Sequence, residues 1–167
     1  VIPVVNLGND TIICAGTQIT FDAGACNGCI YQWKDLSAGL TVGSNHTFTT
    51  GQPDIYACYV TAPNGCTRSD TVQLSASILP VVTNNPLFES ICSGDHTNII
   101  LTSIPPSASF SWTASGSSSF VIGYGPGNGT TIDQALINTH SYDETVTYKI
   151  PPHNEACFGP AGDYIVI

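Results

Sequence analysis

The order of landmarks along this chain occurs twice, and that repetition restricts the fold more than any single motif. Ile13-Cys14-Ala15-Gly16 returns as Ile91-Cys92-Ser93-Gly94. Each is followed by an alternating run, Ile19 and Phe21 in one copy and Ile99 and Leu101 in the other. Tyr31-Gln32-Trp33 returns as Phe110-Ser111-Trp112, at Cys-to-Trp spacings of 19 and 20 residues. Further on, Ile55-Tyr56-Ala57-Cys58-Tyr59-Val60 matches Thr145-Val146-Thr147-Tyr148-Lys149-Ile150, and Asn64-Gly65-Cys66 matches Glu155-Ala156-Cys157. Even the lead-ins agree, Ile2-Pro3-Val4-Val5 against Leu79-Pro80-Val81-Val82. A period near 78 residues is too long for a solenoid unit and suits a small sandwich. The repeat therefore predicts two tandem modules, residues 1–77 and 78–167, meeting near Ser77 to Leu79. Proline biases its predecessor away from helix and offers no amide hydrogen, so the lead-in reads as a semi-stiff connector stringing modules end to end. The second copy has a longer middle, Ser115 to Gly129, whose Ser and Gly content predicts an expanded surface connection.

Only 9% of the residues are charged, while β-branched and aromatic residues recur in short runs between turn formers, and no stretch has helical apolar spacing. The fold class read from this is all-β: two tandem immunoglobulin-like β-sandwich domains. Period-two alternation puts Tyr31, Trp33, Tyr56, Cys58, Val60, Val72 and Leu74 on the inner face of the first module. The matching set in the second is Ile99, Leu101, Phe110, Trp112, Val146, Tyr148 and Ile150. A Trp facing a later Tyr-bearing strand is the packing of immunoglobulin-like sandwiches, and Asp54-x-Tyr56-x-Cys58 has the form of a tyrosine corner. The cysteine that a true immunoglobulin domain carries in its second strand is replaced by Ile19 or Phe21.

Against 12 acidic residues stand only Lys34, Arg68 and Lys149, so no basic stripe exists to meet phosphates, and nucleic acid and anionic membrane surfaces are poor partners. Seven cysteines without paired zinc-ligand spacing read as disulfide partners, which places the chain in an oxidising compartment. There is no apolar run near 18 residues, no leader pattern and no Met, so the chain reads as a mature protein or a piece of a longer one.

No catalytic residue is expected. G-x-S-x-G, H-E-x-x-H, a phosphate loop and an EF-hand loop are all missing, and His46, His96, His140 and His153 lie apart in loop-like contexts as surface histidines. Asp54, Asp95, Asp143 and Glu144 would form a glycosidase pair only by a special fold geometry. No cofactor is expected. Calcium stays open, because Asn6, Asn9, Asp10, Asp22 and Asp70 are suitable oxygen donors and equally ordinary turn residues. Two function classes follow: a structural or adhesive repeat that spaces, displays or polymerises, and a glycan-binding accessory module of a secreted hydrolase. For the second, Tyr59, Tyr124 and Tyr142 are the candidate exposed aromatics. Apolar strands reaching both chain ends, Val1 to Val5 and Tyr164 to Ile167, would offer edges for another copy or a neighbouring repeat, in head-to-tail contact.

Leu7-Gly8-Asn9-Asp10-Thr11-Ile12-Ile13-Cys14-Ala15-Gly16, then Tyr31-x-Trp33, then Ala62-Pro63-Asn64-Gly65-Cys66-Thr67-Arg68-Ser69-Asp70-Thr71-Val72 resembles a known group. It is the PKD-like and immunoglobulin-like repeats of large surface proteins exported by the type IX secretion system of gliding and related bacteria. The resemblance covers most of residues 4 to 75, and the second module is similar to the PKD-like variant. It implies an extracellular, cell-surface adhesin, filament or stalk module without activity of its own, whose partners are neighbouring repeats, copies of itself, surface glycans or other cells. Cys26, Cys29 and Cys58 depart from the pattern. Asp10-Thr11-Ile12 and Asp70-Thr71-Val72 resemble the O-glycan attachment sites of such bacteria, at Thr11 and Thr71, while Asn9, Asn45 and Asn128 fit the N-glycan acceptor pattern.

The repeat also suggests a disulfide scheme. The second module has only Cys92 and Cys157, which align with Cys14 and Cys66, so Cys14–Cys66 and Cys92–Cys157 are expected as equivalent bonds. Each would close a long loop and contribute about 4 kcal/mol on the chain-entropy model. Of the remainder, matching inward parity favours Cys29 with Cys58; the alternative is a tight Cys26–Cys29 bond around an Asn27-Gly28 turn.

Overall fold

In a computed structural model of the protein, described for residues 2–154 and 157–167, there is no helix among the described residues. The chain divides into two compact units, Val1–Ser77 and Ile78–Ile167. Val1, Glu155 and Ala156, which figured in the sequence landmarks, lie outside the described residues.

The first unit contains β1 (Thr11–Cys14), β2 (Ile19–Asp22), β3 (Ile30–Asp35), β4 (Leu40–Gly43), β5 (Thr47–Thr50), β6 (Asp54–Thr61) and β7 (Thr67–Ser77). One sheet has the order β1-β7-β6-β3-β4, and β2 and β5 form the other. The inner face of the larger sheet carries Tyr31, Trp33, Tyr56, Cys58, Val60, Val72 and Leu74, all buried as period-two alternation requires, and they pack on Phe21 and Leu7. Trp33 stacks between Phe21 and Phe48, and its Nε1 donates to the Asn45 carbonyl at 2.9 Å. The Tyr56 hydroxyl donates to the Gln52 carbonyl four residues upstream at 2.8 Å, which makes the tyrosine corner.

The second unit contains β8 (Val81–Val82), β9 (Phe88–Glu89), β10 (Ile99–Ile100), β11 (Ser103–Ile104), β12 (Ser109–Gly116), β13 (Val121–Ile122), β14 (Gly127–Asn128), β15 (Thr131–Ile132), β16 (Ile137–Asn138), β17 (Val146–Ile150), β18 (Pro152–His153) and β19 (Gly162–Val166). Its main sheet runs β9-β19-β17-β12-β14, repeating the five-strand order of the first unit, with β18 added against β12 and β10–β15 standing where β2–β5 stand in the first unit. In each unit the first strand of the main sheet runs parallel to the last one, β1 to β7 and β9 to β19. The seven inner-face residues expected for this unit are all buried in one cluster with Ile132, Leu136, Tyr164 and Val166. The Ser115 to Gly129 connection departs from an irregular loop: it holds the end of β12 and the short strands β13 and β14.

Two expectations from the sequence are corrected. The lead-in from Ile2 to Val5 is not a strand, and β19, with Tyr164, is flanked by β17 on one side and β9 on the other. At Ile165 and Val166 both edges of the strand are paired, so the end of the chain offers no free edge there.

The disulfide scheme is also corrected. Cys66, Cys92 and Cys58 are free thiols, Cys26 bonds Cys29, and Cys14 and Cys157 are each disulfide-bonded. The expected Cys14–Cys66 bond fails on distance. Cys14 lies opposite Ser77 at the end of β7, whereas Cys66 precedes its first residue, Thr67, so the strand holds them about 35 Å apart. Cys92–Cys157 fails in the same way, because Ile91 bonds Ile167 beyond the end of β19 while Cys157 precedes its start. For Cys29–Cys58 the parity is right and the register wrong. Cys58 pairs with Trp33, and Cys29 falls four positions along, about 13 Å away, beyond the roughly 7 Å that a disulfide spans.

Candidate functional site

Each unit has two ends, and the cysteines mark them. In the first unit Cys14 opens a turn in which Thr17 N donates to the Cys14 carbonyl at 3.0 Å, with Gly16 at φ 86°. Ala15 N donates to the carbonyl of Ser77, so this turn stands where the chain leaves the unit. In the second unit Asp95 N donates to the Cys92 carbonyl at 2.9 Å, with Gly94 at φ 94°, and Ile91 N donates to the Ile167 carbonyl. The Cys-Ala/Ser-Gly landmark is thus one turn used twice, whose third residue needs the left-handed region that glycine enters at low cost.

At the opposite ends the cysteine amide is held by a preceding Asn in both units, in turns of different span. Ala62 N donates to the Cys66 carbonyl at 2.9 Å, and Cys66 N donates to Asn64 Oδ1 at 3.2 Å. Asn154 N donates to the Cys157 carbonyl at 2.9 Å, and Cys157 N donates to Asn154 Oδ1 at 2.8 Å. Asn154 Nδ2 donates to the carbonyl of Ile78, where the chain enters the second unit. In the first unit Ala62 and Pro63 line a cavity of about 540 Å³ together with Ile2, Pro3 and Val4 of the entering segment. At the leaving end of the second unit a cavity of about 390 Å³ is lined by Ile91, Cys92, Val121, Leu136 and Ile167, with Asp143 and Glu144.

Catalytic chemistry is hard to build from what converges. Glu144 accepts hydrogen bonds from Ser117 and Ser118, and with His140 beside it at 3.2 Å these hold its carboxyl below the usual range, the opposite of what a general acid needs. The Asp54 carboxylate is likewise held low by Ser37 and by the amide of Ile55. His46 and His96 are exposed beside Asp22 and Asp133, and half-buried His153 stacks on Phe158. Burial pushes the Cys58 thiol up to about 11, so it is not a nucleophile at neutral pH.

Among the described residues no three His, Cys, Asp or Glu side chains group to hold a metal ion. Four of the five side chains considered for calcium accept backbone hydrogen bonds: Asp70 Oδ2 accepts from Leu7 N, Asp10 Oδ1 from Gln73 N, Asn6 Oδ1 from Gly8 N and Asp22 Oδ1 from Gly24 N, all at 2.9 Å. Thr71 is exposed on β7, and half-buried Thr11 donates its hydroxyl to the Asn9 carbonyl at 3.0 Å. Of the three tyrosines considered for glycans, Tyr142 is exposed, Tyr59 is half-buried under Lys34, and Tyr124 packs against the core. Sequence reasoning missed the companions of Tyr142: Phe120 and His140 stack at 4.7 Å, and His140 meets Tyr142 edge-on at 4.9 Å. Their spacing in the sequence holds no signal, because β13 and β16 bring them together.

Residues 89–167 match the family model of the PKD-like domain. No curated protein matches the chain. Among solved structures it is similar to the I-band fragment I67–I69 from titin, at 15% identity and a TM-score of 0.51, over 94% of this chain and 61% of that one. It is also similar to immunoglobulin domains 1–4 of Sidekick-1, at 12% identity and a TM-score of 0.51, over 95% of this chain and 46% of that one. The chain thus spans less than two thirds of either. At such identities the likeness is one of fold: tandem immunoglobulin-like sandwiches.

Proposed function

We propose that this chain is a non-catalytic structural or adhesive repeat segment of an extracellular surface protein or filament, in which residues 1–77 and 78–167 act as separate modules that space or display binding parts. The observation that supports this best is the doubling of one five-strand order together with the Cys-Ala/Ser-Gly turn, with the large side chains of each unit spent on its own core. A repeated body suits spacing and stacking. The disulfides fit an oxidising extracellular setting, and the sequence resemblance to type IX-exported repeats names the export route to test. Thr11 and Thr71 are the proposed O-glycan carriers.

Beads coated with the full chain test the reading. Clustering that rises with coating density, or attachment to the surface of producing cells, is the expected result. Beads that neither cluster nor attach, together with turnover of a glycan substrate, would overturn it. The second reading, a glycan-binding accessory module, draws on the exposed Phe120, His140 and Tyr142 cluster. It predicts glycan binding that is lost in Tyr142→Ala.

A further inference from the structure

The four end cysteines form two equivalent pairs in unequal states. Cys14 and Cys92 occupy the same turn at the leaving end of their units, and Cys66 and Cys157 stand at the entering end, each with its amide donating to the side-chain oxygen of a preceding Asn. Cys14 and Cys157 are disulfide-bonded; their counterparts Cys92 and Cys66 are free thiols. Both kinds of end therefore form disulfides in this chain, while Cys92 and Cys66 remain as free thiols at equivalent ends. Within one unit the ends cannot join, because β7 or β19 runs between them. Each free thiol adjoins a concave surface. Cys92 lines the cavity with Ile91, Val121 and Ile167, and Cys66 bonds through its carbonyl to Ala62, which lines the apolar cavity of the first unit. Neither competes with Cys58, which is buried in the core.

We propose that Cys92 of one copy of this chain forms a disulfide with Cys66 of a second copy, joining a leaving end to an entering end so that copies link covalently head to tail. This rests on the reading of the chain as a repeat segment. In the reaction the Cys92 thiolate attacks a disulfide oxidant such as oxidised glutathione, forming a mixed disulfide and releasing one glutathione thiolate. The Cys66 thiolate of the second copy then attacks the Cys92 sulfur and expels the second glutathione. Two protein thiols are oxidised to one disulfide, the oxidant is reduced to two thiols, and the two thiol protons pass to the solvent or the released glutathiones. Because one end is a donor to the other, the product is open and extensible.

The test is the full chain, at high concentration in a reduced and oxidised glutathione buffer, read by non-reducing electrophoresis and peptide mapping. The expected result is a ladder of oligomers that collapses on reduction, with Cys66–Cys92 as the intermolecular link. Cys66→Ser and Cys92→Ser should each lose the ladder. Mixed together they should give dimers and nothing longer, because each copy then has one competent end. A chain that stays monomeric, or links dominated by Cys92–Cys92, Cys66–Cys66 or Cys58, would overturn the proposal. Mapping on the unaltered chain decides the link even if a variant folds poorly. Bead clustering that persists in reductant and in both variants would leave the adhesive reading standing while removing the covalent one.

Discussion

Glu89 is a costly side chain of the second unit. It is half-buried on β9, its Oε1 has no hydrogen-bond partner among the described residues, and burial pushes its carboxyl above the usual range. The folded state then binds the Glu89 proton more tightly than the unfolded chain does, so stability falls as pH rises from the ordinary Glu value through the raised one. At neutral pH the ionised group is a cost, and Glu89→Gln should stabilise the second unit by roughly half a kcal/mol once solvent screening of a half-buried group is allowed for. Thermal melts should show that gain at pH 7 and none well below pH 4, where both side chains are neutral; a loss at pH 7 would refute the argument. The tryptophans give a second contrast. Trp33 Nε1 donates to Asn45, whereas Trp112 Nε1 is buried without a partner among the described residues. Phe in place of either leaves a similar cavity, but only Trp33→Phe also breaks a hydrogen bond. Denaturant melts should find Trp33→Phe worse than Trp112→Phe by about 1 kcal/mol.

Opposite each of these tryptophans the neighbouring strand carries a glycine, Gly43 of β4 against Trp33 and Gly127 of β14 against Trp112. A Cβ on Gly127 would lie 2.6 Å from the Trp112 ring, and one on Gly43 would lie 3.3 Å from Trp33 and Phe48. Gly127→Ala should therefore destabilise its unit by about 1–3 kcal/mol, as overpacking does, and Gly43→Ala by less, because a few tenths of an ångström relieve it. Chemical denaturation of the two variants checks the order. This glycine is a repeated landmark that sequence comparison missed, since the expanded connection before Gly127 disrupts the alignment and a lone Gly in a Gly-rich stretch has no distinctive neighbours. What the sequence did show was parity. Alternation placed Tyr31, Trp33, Tyr56 and Cys58 on one face, and all are buried, because side-chain direction in a strand depends only on odd or even position. Register is another matter: it depends on which residue of a distant strand stands opposite, and that is decided by turns and packing beyond the local pattern. Hence Cys29 and Cys58 share a face and cannot bond, and the matched turns at Cys14 and Cys92 were legible as motifs while their place at the leaving ends was not. The Phe120, His140 and Tyr142 cluster was illegible for the same reason.

At the scale of the whole chain, the two hydrophobic clusters are closed within their own units, one around Trp33 and Val60, the other around Tyr148 and Ile150. A side chain in one cluster gains its burial from neighbours in the same cluster, so the cooperative unit of unfolding should be the module rather than the chain. The variants already considered make this testable without cutting the protein. Trp33→Phe removes contacts only from the first cluster and Gly127→Ala strains only the second, and both should be read in a calorimetric or denaturant scan of the full chain. Two transitions are expected, with Trp33→Phe lowering one midpoint and Gly127→Ala the other. In the double variant the shifts should add, since residues without shared partners contribute independently to within about 0.5 kcal/mol. A single transition that both substitutions lower, with a calorimetric enthalpy equal to the van't Hoff value, would instead show the chain unfolding as one body. Modules at the lower limit of size for a separate core would then owe their stability to each other, and the reading of residues 1–77 and 78–167 as separate spacers would fall with the result.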